Sequence, residues 1–335
     1  MGRVSLSVGL ISAFLVAMAT TAPAAADDTD FYKGKTLTYV VATGPGGGYD
    51  FYGRLVAQAM QKELPGATVV VKNVPGAGHI LGANMIYGAR ADGLTIGTFN
   101  TGLLYAQIAE QAGVHFDLAK MSWVGKAGSD PRVVIVGTQT PFKSFADIHN
   151  ASDPVLFSIG GVGSAAYVET TLITRAFNLK VKIIPGYVGG ETEMAIRRGE
   201  IQANLGSLSS YDSFVANGYG RFVLQIGGAP LPGVDQANTM PLDTESKTLI
   251  AFVEAQAEVS RLTAGPPGIR SGRLAVLRAA YDAAVADPEF QTQALKGGRP
   301  VEPGNGEMVT QRIRAALDQP PEIRAYLKEI SATIH

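Results

Sequence analysis

The residues best suited to chemistry in this chain are glycines. Thr43-Gly44-Pro45-Gly46-Gly47-Gly48-Tyr49-Asp50 forms one cluster, and Asn73-Val74-Pro75-Gly76-Ala77-Gly78-His79 forms a second. Each follows an apolar β-like run, Leu37 to Ala42 and Val69 to Val71, and each precedes a segment of helical spacing. A turn without side chains between a strand and a helix lets backbone N–H groups converge, and the helix dipole adds positive potential. Two such turns from neighbouring strands would grip one small anion, most simply a carboxylate. Tight turns with no ligand are the plainer reading of either cluster taken alone.

The side chains around the turns carry less. Asp50 is awkward as a ligand for an anion and better suited to capping the following helix and ordering the loop. His79 could donate to a carboxylate or sit at a cleft rim. Tyr49, Tyr52 and Tyr187 could stack on a ring or bond a distal group, although the helical spacing of Tyr52 favours core packing. Arg54 would face solvent. The single tryptophan, Trp123, lies in a strand-like segment and reads as core. Arg132, ahead of an apolar strand, could hold a carboxylate.

The elements that must position these groups alternate along the chain. Strand Thr36–Ala42, a helix from Asp50 to Leu64, strand Thr68–Val71, a helix from Ile80 to Arg90 and strand Leu94–Phe99 open the pattern. Asn100-Thr101-Gly102 then turns into another helix. Such a βαβαβα start argues for a parallel sheet covered on both faces, with ligands at the carboxyl ends of its strands. A second α/β series begins near Gly137. Ser144 and Asp147 form a capping pair, and strand Val155–Ile159 ends in Gly160-Gly161-Val162-Gly163-Ser164. Strand Val181–Ile184, turn Gly186–Gly190, helix Glu191–Arg198, strand Glu200–Leu205 and strand Phe222–Ile226 follow. The last third reads as helices over Ser271–Val285, Glu307–Leu317 and Pro321–Ile330 after the break Gly265-Pro266-Pro267-Gly268. Those helices can return to the first domain, so that the chain crosses between domains near Val133–Val136 and again near Val259–Thr263. The expected division is residues 27–136 plus 262–335 for one domain and 137–261 for the other.

Composition limits the function classes. Arg3, the apolar stretch Val4–Met18 and Ala24-Ala25-Ala26 make residues 1–26 a cleavable signal peptide, too short in its apolar part to span a bilayer. Export to the periplasm is expected. With no cysteine there is no disulfide, thiolate or lipid attachment site. Formal net charge is −1 and no basic run suggests nucleic acid. Enzyme signatures are missing too. The four histidines, His79, His115, His149 and His335, show no metal-ligand spacing. There is no G-x-S-x-G elbow and no phosphate-binding P-loop. Gly76-x-Gly78-x-x-x-Gly82 is a loose dinucleotide match, but Asp92 precedes the next strand instead of ending it. No catalytic residue, cofactor or metal is expected.

In their order and spacing these motifs resemble the substrate-binding proteins of tripartite tricarboxylate transporters, the TctC or Bug family. The resemblance rests on Gly44 to Asp50, Asn73-x-Pro75-Gly76-Ala77-Gly78 and Asp92-Gly93-x-Thr95, then on Ser158–Ser164, Tyr187–Gly190, Asp287-Pro288-Glu289 and Gly297. It implies an α/β fold of the bilobal periplasmic-binding type (type II-like), two α/β domains with a ligand cleft and two crossover segments. It also implies that the first two loops hold one ligand carboxylate. Carried onto this chain, Gly46, Gly47, Gly48 and Asp50 form the first loop, with Tyr49 beside them. Gly76, Gly78 and His79 form the second, with Asn100 and Thr101 alongside. Gly161, Gly163, Ser164 and Tyr187 come from the facing domain. His79 stands where the family usually has glycine, Tyr49 replaces a small residue, and Thr43 replaces a large aromatic. Gly206-Ser207 replaces Asp-Asn at a position that often touches the distal end of the ligand, which disfavours an amino-bearing ligand.

The expected function is that of a periplasmic solute-binding protein for a small di-, tri- or aromatic carboxylate. It would be a monomer serving the membrane permease subunits of a tripartite transporter. An orphan receptor for signalling or scavenging is the alternative, and a secreted α/β enzyme acting on carboxylates is a more distant one.

Overall fold

A computed structural model describes residues 25–332 except Gly47, Val162, Gly163, Val188 and Gly189. Of the expected signal peptide, only Ala25 and Ala26 fall within them. The chain opens with α1 (Ala25–Asp30), β1 (Thr36–Val41), α2 (Gly48–Glu63), β2 (Thr68–Asn73) and a 3-10 turn, Ala77–His79. Next come α3 (Ile80–Tyr87), β3 (Thr95–Phe99), α4 (Gly102–Ile108) and β4 (Ser122–Lys126). It then builds β5 (Arg132–Gly137), α5 (Phe145–His149), β6 (Val155–Ile159), α6 (Ala165–Ala176), β7 (Val181–Pro185) and α7 (Gly190–Arg198). The same series continues with β8 (Ala203–Ser207), α8 (Leu208–Ala216), β9 (Gly220–Ile226), β10 (Asp235–Gln236) and α9 (Thr244–Glu258). The return segment holds β11 (Leu262–Gly265), α10 (Ser271–Ala286), α11 (Pro288–Lys296), β12 (Gly304–Asn305), α12 (Gly306–Leu317) and α13 (Pro321–Ala332).

Two six-stranded sheets result, in the orders β12-β4-β11-β3-β1-β2 and β10-β9-β5-β8-β6-β7. They share one plan. β2, β1 and β3 are mutually parallel, as are β7, β6 and β8. β11 lies antiparallel between β3 and β4, and β5 lies antiparallel between β8 and β9. β5 and β11 therefore hold equivalent places, and each is the strand the chain enters after crossing between lobes.

Side-chain alternation explains why helices cover both faces. In β1, Leu37, Tyr39 and Val41 pack against α2 and α10, while Val40 packs with α3, α4 and α12 on the other face. In β5, Val134 and Val136 join α6 and α9, and Val133 and Ile135 join α7 and α8. α2 buries Tyr52, Leu55, Val56, Ala59 and Met60, the stripe its spacing calls for. Gly82 of α3 lies so near β1 that a Cβ there would meet Ala42 Cβ at 2.6 Å. Trp123 is buried in β4 and its indole N–H donates to Leu118 O at 2.9 Å. Ser144 and Asp147 close a reciprocal capping box on α5.

Three features depart from the sequence reading. Val133–Val136, expected at the first crossing, lie inside β5 of the second sheet, so the chain crosses between Lys126 and Arg132. The apolar run is the central strand itself, and the crossing is the polar stretch ahead of it. α8 and α9 occupy segments without an expected helix, because buried Leu249, Phe252 and Val253 need the second sheet to show which face is apolar. Finally, α13 does not return to the first sheet. Its Ile323, Leu327 and Ile330 complete the second core.

Candidate functional site

A cavity of about 230 Å³ lies between the two lobes. Its first wall is Tyr49, His79, Asn100 and Thr101. Its second is Arg132, Gly160, Ser164, Ala165, Ala166, Tyr187, Thr192 and the Asn204–Ser207 segment with Ser210 and Tyr211. These residues follow the carboxyl ends of β1, β2 and β3 on one side and of β6, β7 and β8 on the other, where an open parallel sheet binds its ligands. They also stand at helix starts. Tyr49 opens α2, His79 is the N-cap of α3 and Ser164 that of α6, whereas the first N–H groups of α8, after Ser207, donate to Pro131 O and Asp130 Oδ1. Helix N-termini of both lobes thus face one space, and the resulting potential suits an anion.

Several polar groups have fixed roles. Asn100 Oδ1 accepts from Gly102 N at 2.7 Å, which leaves its amide N–H groups as donors toward the cavity. Arg132 and Ser207 are paired in register on β5 and β8. Arg132 Nη1 donates to Ser207 Oγ at 2.8 Å, and its Nε donates to Glu169 Oε2 at 2.7 Å. Ser207 keeps its hydroxyl proton for a ligand. Glu169 is buried, and burial pushes its carboxyl above the ordinary range despite the neighbouring guanidinium. Arg132 Nη2 also contacts Glu169 Oε2, and the guanidinium keeps further N–H groups beyond these bonds. Tyr211 donates to Asn204 Oδ1 at 2.6 Å, and Asn204 Nδ2 donates to Ser158 O and Oγ at 2.7 and 3.0 Å. A Cβ on Gly206 would meet the Tyr211 ring at 2.5 Å, so Tyr211 takes the space a larger residue would need there.

The first loop is held from behind. Asp50 accepts from Gly46 N at 2.9 Å, Arg54 Nε at 3.0 Å and Asn73 Nδ2 at 2.8 Å. Burial pushes its carboxyl up, but the bonds from Arg54, Gly46 and Asn73 outweigh that and hold it below its ordinary value. Asp50 therefore ties the two glycine loops together and does not line the cavity. Arg54, expected simply in solvent, is part of this clamp and also donates to Asn73 Oδ1 at 2.8 Å.

Of the residues singled out by sequence, the cavity gathers Tyr49, His79, Asn100, Thr101, Ser164, Tyr187 and Ser207. Gly46, Gly48, Gly76, Gly78 and Gly161 shape the adjoining loops without lining it, and Gly47 and Gly163 lie outside the described residues. Thr192, Asn204, Ser210 and Tyr211 were not foreseen, since no motif marks them. The sequence marks Arg132 as one possible carboxylate partner and no more. Its position directly opposite Ser207 depends on β5 pairing with β8, which a single sequence does not state.

Between the lobes, the two crossing segments are pinned to one another. Asp130 forms a buried ion pair with Arg261 and accepts from Ser209 N at 3.1 Å and Ser209 Oγ at 2.6 Å. Arg261 in turn lies 4.3 Å from the Tyr49 ring centroid, a cation–π contact that connects the crossings to the cavity.

Two lobes of matched topology, two crossings and a polar cleft between them define the bilobal periplasmic-binding fold. Comparison with known proteins gives the family. Residues 52–259 match the model of the tripartite tricarboxylate transporter family receptors, TctC, and the chain belongs to that family. It is 30% identical over 176 residues to the UPF0065 protein in the TAR-I ttuE-ttuC' intergenic region of Agrobacterium vitis, an alignment covering 50% of this chain and 49% of that protein. The chain thus spans about half the length of such curated relatives. Among solved structures, the periplasmic binding protein BugD is similar with a TM-score of 0.72 and 18% identity, over 89% of this chain and 98% of BugD. MatC from Rhodopseudomonas palustris with bound malate is similar with a TM-score of 0.68 and 19% identity, over 89% and 99%. Among the described residues, no helix is long and apolar enough to cross a membrane, and no group of three or more potential ligands could hold a metal ion.

Proposed function

We propose that this protein is a periplasmic receptor that captures a small organic carboxylate and delivers it to the permease of a tripartite transporter. One observation carries the reading. The cavity between the lobes is faced by helix N-termini from both sides and by the donors Asn100, Arg132 and Ser207, with no uncompensated acidic side chain among its lining residues. Charge-assisted hydrogen bonds of this kind contribute roughly 1.5–3 kcal/mol each, so a few suffice for micromolar affinity, about 8 kcal/mol. The malate bound to MatC and the adipate bound to Rpa4515 are carboxylates of fitting size, and both proteins share the fold. The leader-like residues 1–26 support export.

Thermal-shift measurements on the exported protein test this reading. A carboxylate at about 100 times its dissociation constant should add roughly 2.7 kcal/mol of stability and raise the melting temperature. No shift across aliphatic di- and tricarboxylates, hydroxy acids and aromatic acids would refute it.

A further inference from the structure

His79 is the residue in which this chain departs most from a plain anion-gripping loop, and its geometry fixes what it can offer. The loop runs through three consecutive left-handed residues, Ala77 at φ 47°, Gly78 at φ 62° and His79 at φ 80°. A glycine takes such a conformation without strain, whereas a histidine pays for it. The imidazole Nδ1 lies 2.9 Å from the carbonyl oxygen of Ala42 at the end of β1. A carbonyl oxygen only accepts, so Nδ1 carries the proton. In a neutral ring Nε2 is then a bare acceptor. Burial holds this imidazole below its ordinary range, so the ring is neutral at pH 7 and above. His79 lines the cavity, and among the described residues its Nε2 has no protein partner.

The neighbouring groups supply the contrast. Asn100, Arg132 and Ser207 present donors, which suit carboxylate oxygens. Tyr211, its proton committed to Asn204, presents an acceptor like His79. A plain carboxylate has only acceptors. It would leave His79 Nε2 unpaired in a desolvated site or bring two lone pairs together. A ligand with a hydroxyl beside its carboxylate would satisfy both kinds of partner.

We propose that His79 is a specificity-determining residue whose unprotonated Nε2 accepts a hydrogen bond from a ligand hydroxyl, so that the site selects hydroxycarboxylates over their deoxy counterparts. This rests on the carboxylate reading above and names the ligand class within it. Losing a buried hydrogen-bond partner should cost at least about tenfold in affinity.

The test is isothermal titration at pH 8 with matched pairs: malate and succinate, citrate and tricarballylate, lactate and propionate. The wild-type protein should bind the hydroxylated member of a pair at least about tenfold more tightly. His79→Gly, which suits the φ of 80° and should fold normally, should bring that ratio close to unity while retaining affinity for the deoxy member. An unchanged ratio in His79→Gly, or a wild-type protein indifferent to the hydroxyl, overturns the assignment. Should none of these pairs bind while another carboxylate of the thermal-shift panel does, the hydroxycarboxylate assignment fails and the carboxylate reading stands; silence across the whole panel overturns both. The nitrogen-15 resonances of the imidazole give a readout that needs no ligand: the Nδ1–H tautomer supports the proposal, and an Nε2–H tautomer refutes it.

Discussion

Asp130→Ala offers the sharpest probe of how the two lobes are held. Both partners of the Asp130–Arg261 pair are buried, with side chains 2% exposed on each side. Removing the carboxylate leaves the Arg261 charge buried without its counter-ion, which costs about 3–5 kcal/mol. It also strands the Ser209 backbone N–H, worth about 1–3 kcal/mol. The two losses share one carboxylate and are not additive. A total near 4–5 kcal/mol corresponds to a fall in melting temperature of about 6–8 °C for a chain of this size. Scanning calorimetry of the unliganded protein measures this directly. The double variant Asp130→Ala/Arg261→Met removes the stranded charge and should recover much of the loss, since an apolar pair often replaces a buried ion pair at little cost. Because Arg261 backs the Tyr49 ring, ligand affinity should fall in the double variant more than its stability does. A single variant that melts within about 2 °C of wild type would refute the assignment of Asp130 as the counter-ion that makes the Arg261 site stable.

Other expectations follow from the same contacts. Gly82→Val places a side chain where even a Cβ meets Ala42 at 2.6 Å and Val74 O at 2.8 Å, so the denaturant midpoint should drop by at least about 1–3 kcal/mol equivalent, and an unchanged midpoint would contradict the packing. Arg132→Ala should weaken carboxylate binding about tenfold or more in titration calorimetry, whereas an unaltered dissociation constant would remove Arg132 from the site. Asp50 has a folded-state pKa below its unfolded value of about 3.9. Its contribution is therefore complete above the unfolded value and disappears as pH falls through the lower folded one. Asp50→Asn should be less stable than wild type at pH 7, with the two converging in acid unfolding experiments once the pH has fallen below the ordinary carboxylate range. A constant difference across that range would mean that the charge on Asp50 is not what ties the loops.

Much of this was legible in the residues themselves. The strand–glycine–helix units appear because a parallel strand buried on both faces must be a continuous apolar run, and the turn after it must lack side chains where backbone meets ligand. Hence β1, β2 and β3 and the loops behind Tyr49, His79 and Asn100 are legible in the sequence alone. The same holds for α5, whose capping box is a local pattern. α8 and α9 are not legible because amphipathicity alone does not say which sheet an element will cover, and for the same reason the sequence does not show that α13 packs on the second lobe. The role of Asp50 as a clamp followed from an electrostatic objection to pairing it with an anion. Its reach to Asn73 on the next strand did not.

The sequence by itself determined the alternating α/β architecture, the anion-suited loops and the family resemblance, since these are encoded in short-range periodicity and in residues a few positions apart. Only the tertiary structure decided which groups face one another. It set Arg132 opposite Ser207 through strand register, placed Tyr211 in the space above Gly206, and joined Asp130 to Arg261 across the crossings. It also turned His79 from a possible donor into an acceptor, by setting its Nδ1 against the Ala42 carbonyl. Which proton a side chain carries, and toward what, depends on partners brought in from distant segments of the chain, and no local pattern records them.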